Sequence, residues 1–294
     1  MTGRFAPSPT GRLHLGNLRT AMLAWLFARS RGEQFLIRME DLDQIVSRVE
    51  HEQQQLDDLR AIGLDWDGPV VRQSERTAQY SAAVEQLRDK GLVYECFCTR
   101  AEIAAASSAP NSATLPGAYP GTCRYLSNAQ IAERRTRGRP AALRLRTDET
   151  EGSFVDELLG AVSAPIDDLV LRRNDGTFAY NLAVVVDDAA QGVTHVVRGD
   201  DLAPSAPRQI HLAEVLGLPI PAYAHVPLVL GPDGERLAKR HGSVTLADRD
   251  PDEMRRLLAA SLGMATPGER VTMQDLLTRF DPALLPREPW VFTG

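Results

Sequence analysis

Cysteine is scarce, with three residues among 294, too few for a disulfide framework. No apolar run reaches the roughly 18 residues that a membrane span needs. The first residues, "MTGRFAPSPTG", contain no apolar core of the signal-peptide kind, which points to a cytoplasmic protein that meets no membrane. Basic residues do not dominate: 33 Lys and Arg stand against 39 Asp and Glu, a net charge of −6. That balance excludes the strongly basic footprint of proteins that grip long nucleic acid without specificity, and it leaves room for a local basic patch. The phosphate-binding pattern G-x-x-x-x-G-K-[ST] is missing, as is any internal repeat.

The segments that are present follow a recognisable order. "GRFAPS" reads as a short buried strand. "HLGNLRTAMLAWLFARSRG" places Leu18, Met22, Trp25 and Leu26 at helical spacing and stops at Gly32. "QFLIRMED" is a second strand ending in acids, and "QIVSRVEHEQQQLDDLRAIG" is an amphipathic helix closing at Gly63. Strand, helix, strand, helix predicts a parallel α/β sheet. From about residue 91 the character changes. "YECFCTR" leads into an Ala/Ser/Pro-rich stretch, Thr99 to Ala118, that reads as a long loop without period. An arginine-rich segment follows, with Arg124, Arg134, Arg135, Arg137, Arg139, Arg144 and Arg146. "DDLVLRRNDGTFAYNLAVVVDDAAQGVTHVVRGDDL" resumes strand-like runs around an Asp-Gly turn. "AHVPLVLGPDGERLAKRHGS" holds a further apolar strand and a turn, and the tail from Asp250 is short and mostly helical.

Two elements carry chemistry on elementary grounds. A helix that follows a parallel strand presents free N–H groups and a positive dipole end, and "HLGN" lies at such a helix start. Gly16 admits a ligand close to the backbone, and His14 can donate a hydrogen bond to a phosphate. Far along the chain, Lys239 lies between Arg236 and Arg240 in a Gly-rich segment after an apolar strand, suited to closing over phosphates. Taken singly, each has an ordinary reading as a helix turn or a solvated loop. The cysteines form a third element. Cys96, Cys98 and Cys123 crowd within 28 residues, a spacing that in a cytosolic chain favours metal over bridging.

Together these segments resemble a known family. "RFAPSPTGRLHLGN" is similar to the HIGH signature of class I aminoacyl-tRNA synthetases in its glutamyl form, and "RLAKR" to their KMSKS signature. "RMEDLD", "GLDWDGPVVRQSERTAQY", "DDLVLRRNDGTFAYNLAVVVDD" and "HVVRGDDL" resemble further segments of that catalytic domain, in the same order over residues 3–245. Asn17 stands where the second histidine of HIGH is usual, Arg236 where KMSKS begins with lysine, and Ala238 where it has serine. Glutamyl-tRNA synthetases continue after KMSKS into a sizeable helical anticodon-binding region. Here residues 242–294 follow, enough for one small helical subdomain, and that shorter architecture resembles the glutamyl-Q tRNA(Asp) synthetases.

The resemblance implies an α/β fold: a Rossmann-like parallel-sheet catalytic domain (1–90 and 181–245), a zinc-containing acceptor-binding insertion (91–180) and a short C-terminal helical subdomain (246–294). It implies ATP-dependent activation of L-glutamate and transfer to queuosine in the anticodon of tRNA-Asp, by a monomer. The alternative is a short glutamyl-tRNA synthetase that charges a tRNA 3′ end. A catalytically dead tRNA- or amino-acid-binding module and a small-substrate nucleotidyltransferase are more distant readings. Catalytic roles are implied for His14 and Lys239, and ATP contacts for Pro7, His14, Gly16, Asn17, Arg236 and Lys239. Glutamate contacts are implied for Arg4, Ala6, Ser8, Glu40, Tyr180 and Arg198, with Glu40 facing the α-ammonium. Mg²⁺ would accompany ATP through phosphates and waters. The glutamyl-Q enzymes carry a Cys-x-Cys…Tyr-x-x-x-Cys zinc site, which maps onto Cys96, Cys98, Tyr119 and Cys123.

Overall fold

The apolar run after His14 folds into helix α1 (Leu15–Ser30), buried on nearly every side. In the computed structural model, which describes residues 1–107, 119–237, 244–247 and 249–293, this helix is the centre of the main core. It packs against β1 (Thr2–Phe5), β2 (Gln34–Met39) and, further on, β9 (His195–Gly199). Helices α8 (Pro251–Ser261) and α9 (Met273–Arg279) of the tail also lie against it. Gly3 permits the close approach to β1: a Cβ there would meet Ala28 Cβ at 3.0 Å.

With β3 (Val71–Arg72) and β10 (Ala222–Val226), these strands form one parallel sheet in the order β10-β9-β1-β2-β3. The expected parallel α/β sheet is present. Its carboxyl edge leads into the loops after β1, β2 and β9, where ligands of such sheets bind. Helix α2 (Val49–Ala61) connects β2 to β3 and starts five residues later than its amphipathic pattern suggests. The reason is local. Asp43 accepts hydrogen bonds from Ile45 N through its side chain and from Ser47 N through its carbonyl, and this turn competes with the helix.

A second unit interrupts the sheet. Strands β4 (Val93–Cys96), β5 (Ala142–Leu145) and β8 (Val170–Arg172) form an antiparallel sheet, with a hairpin of β6 (Glu151–Asp156) and β7 (Gly160–Pro165) inserted between them. The hairpin leans back on β10, where Phe154 meets Tyr223 edge-on at 5.4 Å. Two sequence readings are corrected in this region. Arg100–Ser107, within the stretch read as loop, is a helix, α4, and the remainder of that stretch, 108–118, lies outside the described residues. Helix α5 (Asn128–Thr136) follows. "NLAVVVDD", read as strand-like, lies in helix α6 (Tyr180–Ala190). It is wedged against α3 (Thr77–Asp89) and α7 (Ala206–Leu216), so Leu182 to Val185 are all buried and no polar face marks the helical period. The Asp-Gly turn forms as expected, with Arg172 bridging Phe178.

The tail closes the molecule. β12 (Trp290–Val291) pairs in parallel with β11 (Val229–Leu230), just before the second signature. Among the described residues no helix is long and apolar enough to cross a membrane. Leu26, fully buried in the middle of α1, reports on this core. Leu26→Ala is expected to lower unfolding free energy by about 3 kcal/mol in urea titration.

Candidate active site

Helix α1 begins with an unusual cap. The imidazole Nδ1 of His14 accepts from Gly16 N at 3.2 Å and Asn17 N at 3.4 Å, while Asn17 Oδ1 accepts from His14 N at 3.2 Å. An accepting Nδ1 fixes the tautomer: the proton is on Nε2, leaving a donor for a ligand. Burial, aided by the charge of Arg236, pushes the His14 pKa down to about 4, so the ring is neutral at physiological pH. Gly16 is bare because the ring folds over it; a Cβ would meet His14 Cε1 at 3.1 Å. The result is a helix N-terminus with a neutral N–H donor beside it, an arrangement suited to phosphate oxygens.

A cavity of about 550 Å³ opens there. Its walls include every candidate for the ATP and glutamate sites that falls among the described residues: Arg4, Ala6, Pro7, Ser8, His14, Gly16, Asn17, Glu40, Tyr180, Arg198 and Arg236. Lys239 lies outside the described residues. The chain on either side of it is fixed near the cavity. Leu237 N donates to Val229 O, Arg236 pairs with Asp201, and Thr245 bridges His14.

The cavity is also lined by charge from Arg4, Glu40 and Arg198, with Arg38 and Asp188 bonded behind them. Arg4 donates from Nε and Nη2 to the two carboxylate oxygens of Asp188, at 3.1 and 3.3 Å. The fully buried Arg38 donates to the same carboxylate at 2.7 Å and comes within 3.6 Å of Glu40. Burial alone would raise the pKa of Asp188; the two guanidinium groups overcome it and hold the carboxyl below its ordinary value. Glu40 differs. Burial raises its pKa, and Arg38 and Arg4 offset this only in part, so a ligand cation here would stabilise the carboxylate.

Arg198 is held from behind. Its Nε donates to His225 Nε2 at 3.0 Å, and its Nη1 to Gln209 Oε1 at 2.8 Å. Because His225 accepts at Nε2, its Nδ1 carries the proton and donates to Asp156 Oδ2 at 2.6 Å. Tyr180, the first residue of α6, is partly exposed and feels the charges of Glu40, Arg198, Arg4 and Asp188. Sequence reasoning missed Arg38, Asp188, Gln209, His225 and Asp156. It also missed Gln55, which donates to Ser8 O and Gly11 O and so fixes the loop after β1. The strongest available signal was the pair Asp187–Asp188 in an apolar run.

A second cavity, about 990 Å³, adjoins the first and shares Ser8, Glu40 and Tyr180 with it. Its far wall carries Cys98, Tyr119 and Arg144 of the antiparallel unit. The thiols of Cys96, Cys98 and Cys123 lie within 4.8 Å of one another, and Cys98 and Cys123 are 3.6 Å apart. The Tyr119 hydroxyl lies 3.3 Å from Cys96 Sγ and 3.9 Å from Cys98 Sγ. Tetrahedral zinc–thiolate geometry places sulfurs about 3.8 Å apart, so these residues fit a zinc ion.

Two tests follow from these contacts. Asp188→Asn leaves two buried guanidinium groups short of charge and is expected to destabilise the fold by about 3–5 kcal/mol in urea unfolding. The second test concerns pH. His14 and His195 both have pKa values lowered from 6.5 to about 4 in the folded chain, burial being the first cause in each. As pH falls below 6.5 the unfolded chain takes up these protons first, so stability declines from 6.5 towards 4 and is unaffected by them above 7. Urea midpoints across that range measure the decline, and it is shallower in His195→Gln.

Comparison with known proteins agrees with this geometry. Residues 1–293 match the family model described as "tRNA synthetases class I (E and Q), catalytic domain". A protein of Nocardia farcinica named glutamyl-Q tRNA(Asp) synthetase is 62% identical over 99% of this chain and 93% of its own. One of the same name from Symbiobacterium thermophilum is 47% identical over 98% of this chain and 95% of its own. The crystal structure of a glutamate tRNA ligase from Elizabethkingia meningosepticum, in complex with its amino acid, superposes with a TM-score of 0.82 at 28% identity. That match covers all of this chain and 67% of the ligase. The chain belongs to the class I aminoacyl-tRNA synthetases of the E and Q type, in the family of glutamyl-Q tRNA(Asp) synthetases.

Proposed function

We propose that the protein activates L-glutamate with ATP and transfers the glutamyl group to queuosine in the anticodon of tRNA-Asp. One observation carries the reading. A neutral histidine at a helix N-terminus and a pocket of two arginines, a buried carboxyl and a tyrosine line one cavity, and a larger cavity opens from it.

In the first step an oxygen of the glutamate α-carboxylate attacks the α-phosphorus of ATP, and pyrophosphate leaves. No side-chain nucleophile is needed, so catalysis is positioning and charge stabilisation. His14 Nε2–H and Asn17, at the positive end of the α1 dipole, hold the phosphate and adenosine side beside Pro7. Lys239 and Arg236 stabilise the departing pyrophosphate. Mg²⁺ would accompany ATP, held by phosphates and waters. Glu40 receives the α-ammonium, while Arg4, Tyr180 and Arg198, with Ala6 and Ser8, fix the carboxylates. Glutamine is rejected because its neutral amide leaves a guanidinium unmatched. In the second step a hydroxyl of the acceptor attacks the activated carbonyl, and AMP leaves. A zinc ion held by Cys96, Cys98, Tyr119 and Cys123 would fix the fold of the far wall.

The test is glutamate-dependent exchange of pyrophosphate into ATP without tRNA, followed by transfer of labelled glutamate. Exchange is expected with the enzyme alone, and label on tRNA-Asp only when it carries queuosine. Lys239→Ala should slow exchange by about a hundredfold. Label on the 3′ end of tRNA-Glu would establish the alternative enzyme instead.

A further inference from the structure

Tyr125 is 82% exposed, and its hydroxyl makes no hydrogen bond among the described residues. It is not an isolated surface tyrosine. The Arg124 guanidinium lies 5.6 Å from its ring centre and that of Arg146 lies 5.8 Å away. Arg146 also lies 5.2 Å from the ring of Tyr94, which pairs with Arg144 across the β4–β5 ladder. Arg144 in turn lies 3.7 Å from the ring of Tyr119. Arginines and tyrosines thus alternate from the wall of the larger cavity, where Arg144 and Tyr119 stand, out to the solvent at Tyr125.

The charge around this ladder is one-sided. Residues 91–146 contain eight arginines and three glutamates in a chain of net charge −6. Several of the arginines are neutralised: Arg124 by Asp148 and Asp168, Arg135 by Glu95, Arg137 by Glu133 and Arg139 by Glu102. Arg146 is not. Among the described residues it bonds only the carbonyl of Arg124, and Arg134 and Arg144 likewise have no carboxylate partner. An exposed ring beside the uncompensated guanidinium group of Arg146 matches the chemistry of single-stranded RNA, whose bases stack on aromatic faces while its phosphates need cations.

We propose that Tyr125 is a stacking platform for an unpaired base of the tRNA loop that carries the acceptor nucleotide, and that Arg146 contacts the adjoining phosphate. This rests on the functional reading above, in which the acceptor is a loop nucleotide. To reach Glu40 and Tyr180 through the larger cavity, that nucleotide leaves its stack, exposing one face of its neighbour. The Tyr125 ring takes up that face.

The experiment uses the full chain and compares Tyr125→Ala and Tyr125→Trp with the wild type. Pyrophosphate exchange without tRNA should stay within twofold in both. Transfer to queuosine-bearing tRNA-Asp should show KM for tRNA raised about tenfold in Tyr125→Ala, with kcat little changed, and restored in Tyr125→Trp. A 2-aminopurine placed beside the acceptor should lose fluorescence on binding wild type and not on binding Tyr125→Ala. A wild-type KM in Tyr125→Ala, a parallel fall in exchange, or failure of Tyr125→Trp to restore KM overturns the platform alone. A wild-type enzyme that exchanges pyrophosphate but transfers nothing to this tRNA overturns the functional reading, and the platform with it.

Discussion

One carboxylate, Asp188, keeps two like-charged side chains together at the floor of the site. Arg4 of β1 and Arg38 of β2 repel one another and are both buried; each is held by Asp188. Arg38 carries the order one step further, to Glu40 at the end of β2. The neighbouring Asp187 does the same in another direction, accepting from Gln73, Arg76 and Tyr80 and so fixing the start of α3. Two acids in the last turns of a helix oppose its dipole, so α6 would not tolerate them in isolation. They persist because guanidinium groups from other strands meet them. The position of α6 and the charge pattern of the cavity therefore depend on one another.

The sequence discloses the parts of this site whose residue types and spacing carry meaning locally. His14 and Gly16, ordinary on their own as a helix turn, became legible once the cationic segment around Lys239 and the resemblance stood beside them. Arg4, Glu40, Tyr180 and Arg198 became legible through the resemblance, and the fold brings them to one cavity. Asp188 could not be read: its partner Arg4 is 184 residues away, and no periodicity records such a distance. Helix α6 was misread for a related reason. A helix covered on several sides has no polar stripe, and its run of valines favours the strand interpretation. The late turn of Asp43, which shortens α2, is a side-chain hydrogen bond that competes with the helix and leaves the amphipathic pattern intact.

Helix α1 serves two purposes at opposite ends of the same element. Its body supplies the largest share of the main core, and its first turn carries the His14 cap, whose Nε2–H is left as a donor. Glycine appears at both contacts for steric reasons: Gly3 lets the helix settle on β1, and Gly16 makes space for the imidazole. A shift of α1 in its bed would move the donor set with it. The precision of the site is thus inherited from core packing.

The two cavities meet at Ser8, Glu40 and Tyr180. In the proposed reaction, an acyl group bound at that junction has two doors. Nucleotide and pyrophosphate use one, and the acceptor uses the other. Among the described residues, the second door opens on the wall that carries Cys98, Tyr119 and Arg144. Water has the same access. On the proposed reaction, an acyl-adenylate waiting at that junction would be open to hydrolysis, and the ATP spent per transfer would rise as modified tRNA becomes scarce.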